Sequence, residues 1–253
     1  MIPFRDENPT LRPPVVTYAI IGMNIAVWVL VQGLGTADAL AHSLCNYALI
    51  PGHLLGLADA GEQIPVGGGW VCQLDDSGGF SALLSSMFMH GGWFHIIGNM
   101  LFLWVFGDNV EDIMGPFRFA VFYLLCGLAA AFAQIATHPA STVPMVGASG
   151  AIGGVMGAYA IMFPRARVHL LIILVFYVTT VSVPAIFMLG YWFLLQLMSG
   201  VGALGNTGAG VAFWAHIGGF AAGIALVFPF RRRELVAAHK GMTARRAARH
   251  RWF

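Results

Sequence analysis

Ser149 stands in Met145-Val146-Gly147-Ala148-Ser149-Gly150-Ala151-Ile152-Gly153, at the head of a long apolar run and after a loop holding Pro139 and Pro144. A helix beginning there presents free backbone N–H groups and the positive end of its dipole beside the serine hydroxyl. That setting suits a nucleophile whose reaction develops an oxyanion. A serine also needs a base to take its proton, and two other apolar runs carry histidines at their heads. One begins His90-Gly91-Gly92-Trp93-Phe94-His95-Ile96-Ile97-Gly98-Asn99; the other begins Phe213-Trp214-Ala215-His216 and continues through Gly219 and Gly223. His95 and Asn99 are one helical turn apart and share a face. Ala215, Gly219 and Gly223 make a small-xxx-small seam that lets the last run press closely on a neighbour. Close approach of the Ser149 and His216 runs would bring hydroxyl and imidazole within hydrogen-bonding reach, while His95 and Asn99 point donors at the oxyanion. No acid lies on these faces, so the expected arrangement is a Ser–His dyad. Each piece has a plainer reading: Gly-Ala-Ser-Gly as a packing patch, a histidine as an interfacial residue, Asn99 as interhelical glue. Chemistry is favoured by the coincidence of all of them at one depth.

Whether these groups share a depth depends on the elements that carry them. Of the 253 residues 58% are hydrophobic and only 9% charged, where a soluble domain has ~25% charged residues. The chain could not cover a water-facing surface and reads as a polytopic membrane protein. All 13 Lys and Arg fall in four places: Arg5 and Arg12; Arg118; Arg165 and Arg167; and the tail from Arg231 to Arg251. The segment from Thr36 to Phe80 holds five acids, Asp38, Asp59, Glu62, Asp75 and Asp76, and no Lys or Arg. By the positive-inside rule the four basic places are cytoplasmic, and the basic tail reads as an anchor near anionic lipid rather than a nucleic-acid site.

A spanning helix needs ~20 mostly apolar residues. The runs expected are Val15 to about Leu34, Trp93 to Phe106, Phe117 to about Thr137, Ser149 to Phe163, one net crossing within Val168 to Met198, and Val211 to Phe230. The fifth is expected as an interfacial piece followed by a span containing Pro184. The expected fold is all-α, a six-transmembrane-helix bundle with both termini cytoplasmic: an N-terminus over 1–14, a membrane domain over 15–230 with a large outer loop at 35–80, and a basic tail over 231–253. Leu49 to Leu55, within that loop, is expected along the membrane interface. In this topology the second, fourth and sixth spans start at the outer face, which is where His95, Ser149 and His216 stand. Cys45 and Cys72 share the outer loop, where oxidation is permitted, so a disulfide between them stays open. Cys126, in an apolar run, reads as a packing residue. No metal site is expected, since His90 and His95 are not at ligand spacing and no His-Glu-x-x-His occurs.

From Val15 to Phe230 the chain resembles the rhomboid intramembrane serine proteases. The resemblance rests on Gly147-Ala148-Ser149-Gly150, on Ala215-His216 followed by Gly219 and Gly223, and on His90, His95 and Asn99. Gly107, Glu111, Tyr123 and Gly127 extend it. It implies Ser149 as nucleophile, His216 as base, and an oxyanion site from His95, Asn99 and the Ser149 amide. Gly147, Gly150, His90, Gly219 and Gly223 are then structural neighbours of the site, and Glu111 is structural. It also implies transmembrane proteins as substrates, cut near their outer ends, and the span holding Pro184 as a candidate gate. Two positions depart from the family. Many members carry Trp-Arg in the outer loop where this chain has Ser81-Ala82, and some carry an aromatic residue where it has Gly153.

The leading expectation is therefore a serine endopeptidase of a bacterial inner membrane, surrounded by lipid and needing no cofactor, with its oligomeric state open. The alternative is a catalytically silent rhomboid-like protein that binds or chaperones membrane clients. A transporter is disfavoured because the polar groups gather at span ends rather than at the midplane.

Overall fold

The computed structural model describes residues 2–59, 61–67, 69–74, 79–174, 177–203 and 212–249. Asp75, Asp76, Val211 and Arg251, used in the sequence reading, lie outside them. The chain is mostly helical. It opens with β1 (Ile2–Asp6) and α1 (Val15–Leu30), followed by α2 (Ala37–Tyr47), α3 (Pro51–Leu54), β2 (Gln63–Gly67), β3 (Trp70–Gln73) and α4 (Ala82–Ser85). Then come α5 (Trp93–Met114), α6 (Pro116–Thr137), α7 (Ser149–Met162), β4 (Arg167–Leu174), β5 (Tyr177–Pro184), α8 (Ala185–Gly202), α9 (Phe213–Phe230) and α10 (Arg233–Arg249). Of these, α6, α8 and α9 are long and apolar enough to cross a membrane, and α1 and α7 are shorter apolar helices.

The expected all-α fold needs correction, because two antiparallel sheets are present, β1-β4-β5 and β2-β3. The first occupies half of the stretch read as an interfacial piece plus a span. Its strands are rich in β-branched residues (Val168, Ile172, Ile173, Val178, Thr179, Thr180, Val181, Val183), which suit a pleated surface. β1 joins them in the register Asp6↔Val168 and Ile2↔Leu171. Pro184 is likewise displaced from its expected place. It lies at the N-cap of α8, with φ −60° and ψ 138°, where a missing N–H disturbs no helical hydrogen bond. Pro184 therefore precedes the helix and does not interrupt it.

α5 runs on to Met114 instead of ending near Phe106, because its terminal acids find partners in the segment that leads into α1. The Glu111 carboxylate accepts from Val16 N at 2.9 Å, Thr17 N at 2.7 Å and Thr17 Oγ1 at 2.8 Å. It thus satisfies first-turn amides of α1 that have no intrahelical acceptor and sets negative charge at the positive dipole end. Asp112 accepts from Leu11 N at 2.9 Å, and its backbone carbonyl accepts from Arg12 Nη2 at 2.8 Å. At the other end of α1, Gln32 exchanges two hydrogen bonds with the backbone of His90, at 2.8 and 2.9 Å.

α7 is the centre of the molecule, with every residue from Gly150 to Ala160 buried. Its glycines make this possible. A Cβ at Gly157 would collide with the Phe220 carbonyl of α9, and one at Gly154 with Cys126 of α6. α8 is attached more loosely and exposes Ile186, Phe187, Tyr191, Leu194 and Met198. Between α1 and α5, Cys45 of α2 is disulfide-bonded to Cys72 of β3, with Cα atoms 5.3 Å apart. Leu49 and Ile50 are buried against the rest of the protein, and Leu49 and Met145 exchange backbone hydrogen bonds of 3.0 and 2.8 Å. The segment between α1 and α5 is thereby docked on the loop that leads to Ser149.

Candidate active site

Ser149 is the first residue of α7, so its own amide belongs to the turn whose N–H groups lack intrahelical acceptors. The loop reaches it through Gly147, whose φ of +128° disfavours any side chain. The Gly147 amide donates to the Ser86 carbonyl at 2.9 Å. A Cβ on Gly147 would meet His95 Nε2 at 2.7 Å, so the glycine also lets the His95 ring lie against the serine loop.

His216 is in the first turn of α9, and its Nε2 is 2.8 Å from Ser149 Oγ. The contact follows from the backbones beneath it. A Cβ at Gly219 would fall on the Gly150 carbonyl, and one at Gly223 on the Gly154 carbonyl. Side-chain-free backbones at these positions let α7 and α9 touch along their length, and the two helix heads bring hydroxyl and imidazole into register. The other imidazole nitrogen, Nδ1, is 2.7 Å from Gln196 Oε1 of α8. An amide oxygen only accepts. Nδ1 therefore carries the proton, and Nε2 offers its lone pair to the serine hydroxyl. Trp192, one turn earlier on α8, places its ring 5.8 Å from that of His216.

The two expected oxyanion donors lie on α5 and face the same cavity. His95 Nδ1 accepts from Gly91 N at 3.2 Å, which leaves the proton of the neutral ring on Nε2, the nitrogen beside Gly147. Asn99, one turn further on, is buried, and its Nδ2 makes no hydrogen bond to the protein. Such a donor is unusual in a native interior. The cavity measures about 580 Å³ and is lined by His95, Asn99, Ser149 and His216 together with apolar side chains such as Phe102 and Trp192. A second cavity of about 30 Å³ lies behind Ser149, walled by small residues that include Gly127, Ala130, Gly150 and Ala215. His90 is buried with its ring 5.2 Å from that of His95 and backs that side chain. Among the described residues, no three His, Cys, Asp or Glu side chains gather to hold a metal ion.

The structure thus brings together Ser149, His216, His95 and Asn99. It adds Gln196 and Trp192, which the sequence reading did not use. Gln196 had a signal: it is the one amide side chain in the apolar α8 sequence, and polar groups there call for a partner. The two departures find their places as well. Ser81 is the N-cap of α4 and Ala82 its first residue, and Ala82 is buried with Leu49, Ala131 and Ile135. A Cβ at Gly153 would stand 3.1 Å from the His216 carbonyl, so a larger residue there would press on the backbone of the helix that carries the histidine.

Fold and site define a helical membrane protein with a serine and a histidine paired at the heads of two closely packed helices. A family model described as "Rhomboid domain" matches residues 77–233, more than half of the chain, and the chain belongs to the rhomboid family. It is 26% identical over 165 residues to "Rhomboid protein 1, mitochondrial" of Saccharomyces cerevisiae, a stretch covering 64% of this chain and 40% of that protein. Over 98 residues it is 34% identical to "Presenilin-associated rhomboid-like protein, mitochondrial" of Mus musculus, covering 38% of this chain and 26% of the relative. It is 33% identical over 147 residues to "Rhomboid protease GluP" of Bacillus subtilis, covering 58% of this chain and 26% of that protein. The chain therefore spans well under half the length of these relatives.

Proposed function

We propose that this protein is an intramembrane serine endopeptidase that cuts transmembrane segments with Ser149 and His216. The observation that carries the reading is the 2.8 Å contact between Ser149 Oγ and His216 Nε2, beside a cavity that His95 and Asn99 also line. His216 takes the hydroxyl proton as Ser149 Oγ attacks the scissile carbonyl. The tetrahedral oxyanion accepts from His95 Nε2, Asn99 Nδ2 and the Ser149 amide. His216 returns the proton to the leaving amine, leaving an acyl-enzyme. The imidazole then deprotonates a water that attacks the ester, and Ser149 is restored with release of the second product.

In this proposal α1, α5, α6, α7, α8 and α9 cross the membrane, with both termini cytoplasmic and the Ser149 end outward. Support comes from the basic residues, which collect at the end opposite Ser149. There Arg118 reaches the Phe230 carbonyl, Arg231 lies against Met162, and the Arg232 amide donates to the Ile113 carbonyl. The 14 residues of α7 rise about 21 Å, less than the ~30 Å hydrocarbon core. Ser149 then sits recessed below the outer face, at the depth of a substrate segment's outer end. We assign the protein to a bacterial inner (cytoplasmic) membrane; its relatives include mitochondrial proteins as well as the Bacillus subtilis protease.

The test is labelling of the purified protein by a fluorophosphonate, together with cleavage of a transmembrane reporter. Both should be present in wild type and absent in Ser149→Ala. Labelling that persists in the variant removes Ser149 as nucleophile. A wild type that neither labels nor cleaves favours a silent client-binding protein, the reading that the Ser81-Ala82 departure supports.

A further inference from the structure

Catalytic histidines need one of their two ring nitrogens fixed by a third group, because the tautomer decides which nitrogen is free to act as base. In this chain neither α7 nor α9 supplies that group. Gly153 stands where an aromatic ring would support His216, and the His216 carbonyl lies 3.1 Å from any Cβ placed there. Nδ1 instead meets Gln196 Oε1 at 2.7 Å, and the ring packs on Trp192. Both partners are on α8, whose other side exposes Phe187, Tyr191, Leu194 and Met198.

We propose that Gln196 is the positioning residue for the base: its amide oxygen accepts the Nδ1–H of His216, holds the ring in the tautomer that presents Nε2 to Ser149, and makes that tautomer depend on the seating of α8. The inference rests on the protease reading of Ser149 and His216 and adds a coupling to it. With α8 seated, His216 is a competent base. A separation of α8 from α9 by more than a hydrogen-bond length would leave Nδ1 without its acceptor, and the imidazole could then carry its proton on Nε2, where it has no lone pair for the serine. The helix that walls the cavity on this side would then also switch the base. A neutral amide suits this role. Its oxygen lies within hydrogen-bonding distance of Nδ1 and orders the ring.

The experiment compares wild type with Gln196→Leu, which keeps size and burial but cannot accept, and Gln196→Glu, which restores an acceptor. Fluorophosphonate labelling rate, kcat and KM for a transmembrane reporter, and melting temperature are measured for each. Gln196→Leu should slow labelling and kcat by roughly 10- to 100-fold, the scale for losing a group that orients an active-site side chain, with KM and melting temperature unchanged. Gln196→Glu should recover to within a few-fold of wild type. ¹⁵N chemical shifts of the His216 ring in the wild-type protein should show the proton on Nδ1. A ring protonated on Nε2, or a Gln196→Leu protein that labels at the wild-type rate, overturns the proposal. So does a Gln196→Glu protein as slow as Gln196→Leu. If Ser149→Ala still labels, the protease reading has failed. If Ser149→Ala is silent and Gln196→Leu is fully active, only the role of Gln196 has failed.

Discussion

Gly219 of α9 lies on the backbone of Gly150 in α7, so close that a Cβ at 219 would fall on the Gly150 carbonyl. Ser149 immediately precedes Gly150, and His216 precedes Gly219 by three residues, so one backbone contact sets the spacing of both reactive side chains. A methyl group in such a seam forces the helices apart, at about 1–3 kcal/mol for overpacking. Gly219→Ala should lower the melting temperature and reduce fluorophosphonate labelling by more than ~10-fold. Gly22→Ala on α1, where no atom lies within 4 Å of the added carbon, should change neither.

The unpaired Asn99 Nδ2 separates two roles for that residue. As interhelical glue it would already be bonded, and its removal would destabilise the bundle. As an oxyanion donor it waits for a charge that forms only during the reaction. Asn99→Ala should lower turnover of a transmembrane reporter by ~10²–10³-fold and leave the melting temperature unchanged. A normal rate with a lowered melting temperature would return Asn99 to packing.

Glu111 joins α5 to α1 through three hydrogen bonds to one carboxylate. Bonds to a charged group are each worth ~1.5–3 kcal/mol. Glu111→Ala leaves the Val16 and Thr17 amides unsatisfied and should lower stability by at least ~2 kcal/mol. Thr17→Val removes only the hydroxyl bond and should cost about 1 kcal/mol. Thermal unfolding in one detergent or nanodisc preparation ranks the two.

Asp6 makes the docking of β1 depend on pH. Its carboxyl is pushed up from 3.8 to about 6, chiefly by burial and against the opposing pull of its hydrogen bond with the Tyr159 hydroxyl. A raised acid favours the folded state while protonated. The stabilisation is complete below about pH 4 and is lost as pH rises through about 6, amounting to roughly 3 kcal/mol across the window. Hydrogen exchange of the Ile2–Asp6 amides, corrected for intrinsic rates, should therefore be better protected at pH 5 than at pH 7.5. Asp6→Asn should abolish the difference.

The candidate site was legible in the sequence because its chemistry is carried by distinctive residues at helix heads. Histidine, serine and asparagine are scarce in apolar runs, and the one-sided placement of arginines orders those runs in depth. The hairpin of β4 and β5 was not legible. A strand buried on one face and apolar on the other shows no period-2 signal, and its Val, Ile and Leu content serves a span equally well. Pro184 was read as interior for the same reason, since without the strands nothing marked the start of α8. The far end of α5 was missed because Asp108, Glu111 and Asp112 look like a helix-ending polar cluster until α1 is laid beside them. Gln196 stood alone on its helix, and only the fold could show what it faces.

α1 grips α5 at both extremities, through Glu111 at one end and the Gln32–His90 exchange at the other. It works as a caliper that fixes the position of the helix bearing His95 and Asn99. Yet α1 lies wholly outside the 77–233 region that the family model covers. The region that the family model matches and the unit that holds itself together therefore have different borders. A fragment cut at the recognisable border would keep Ser149 and His216 and lose the measure of the helix that completes their site.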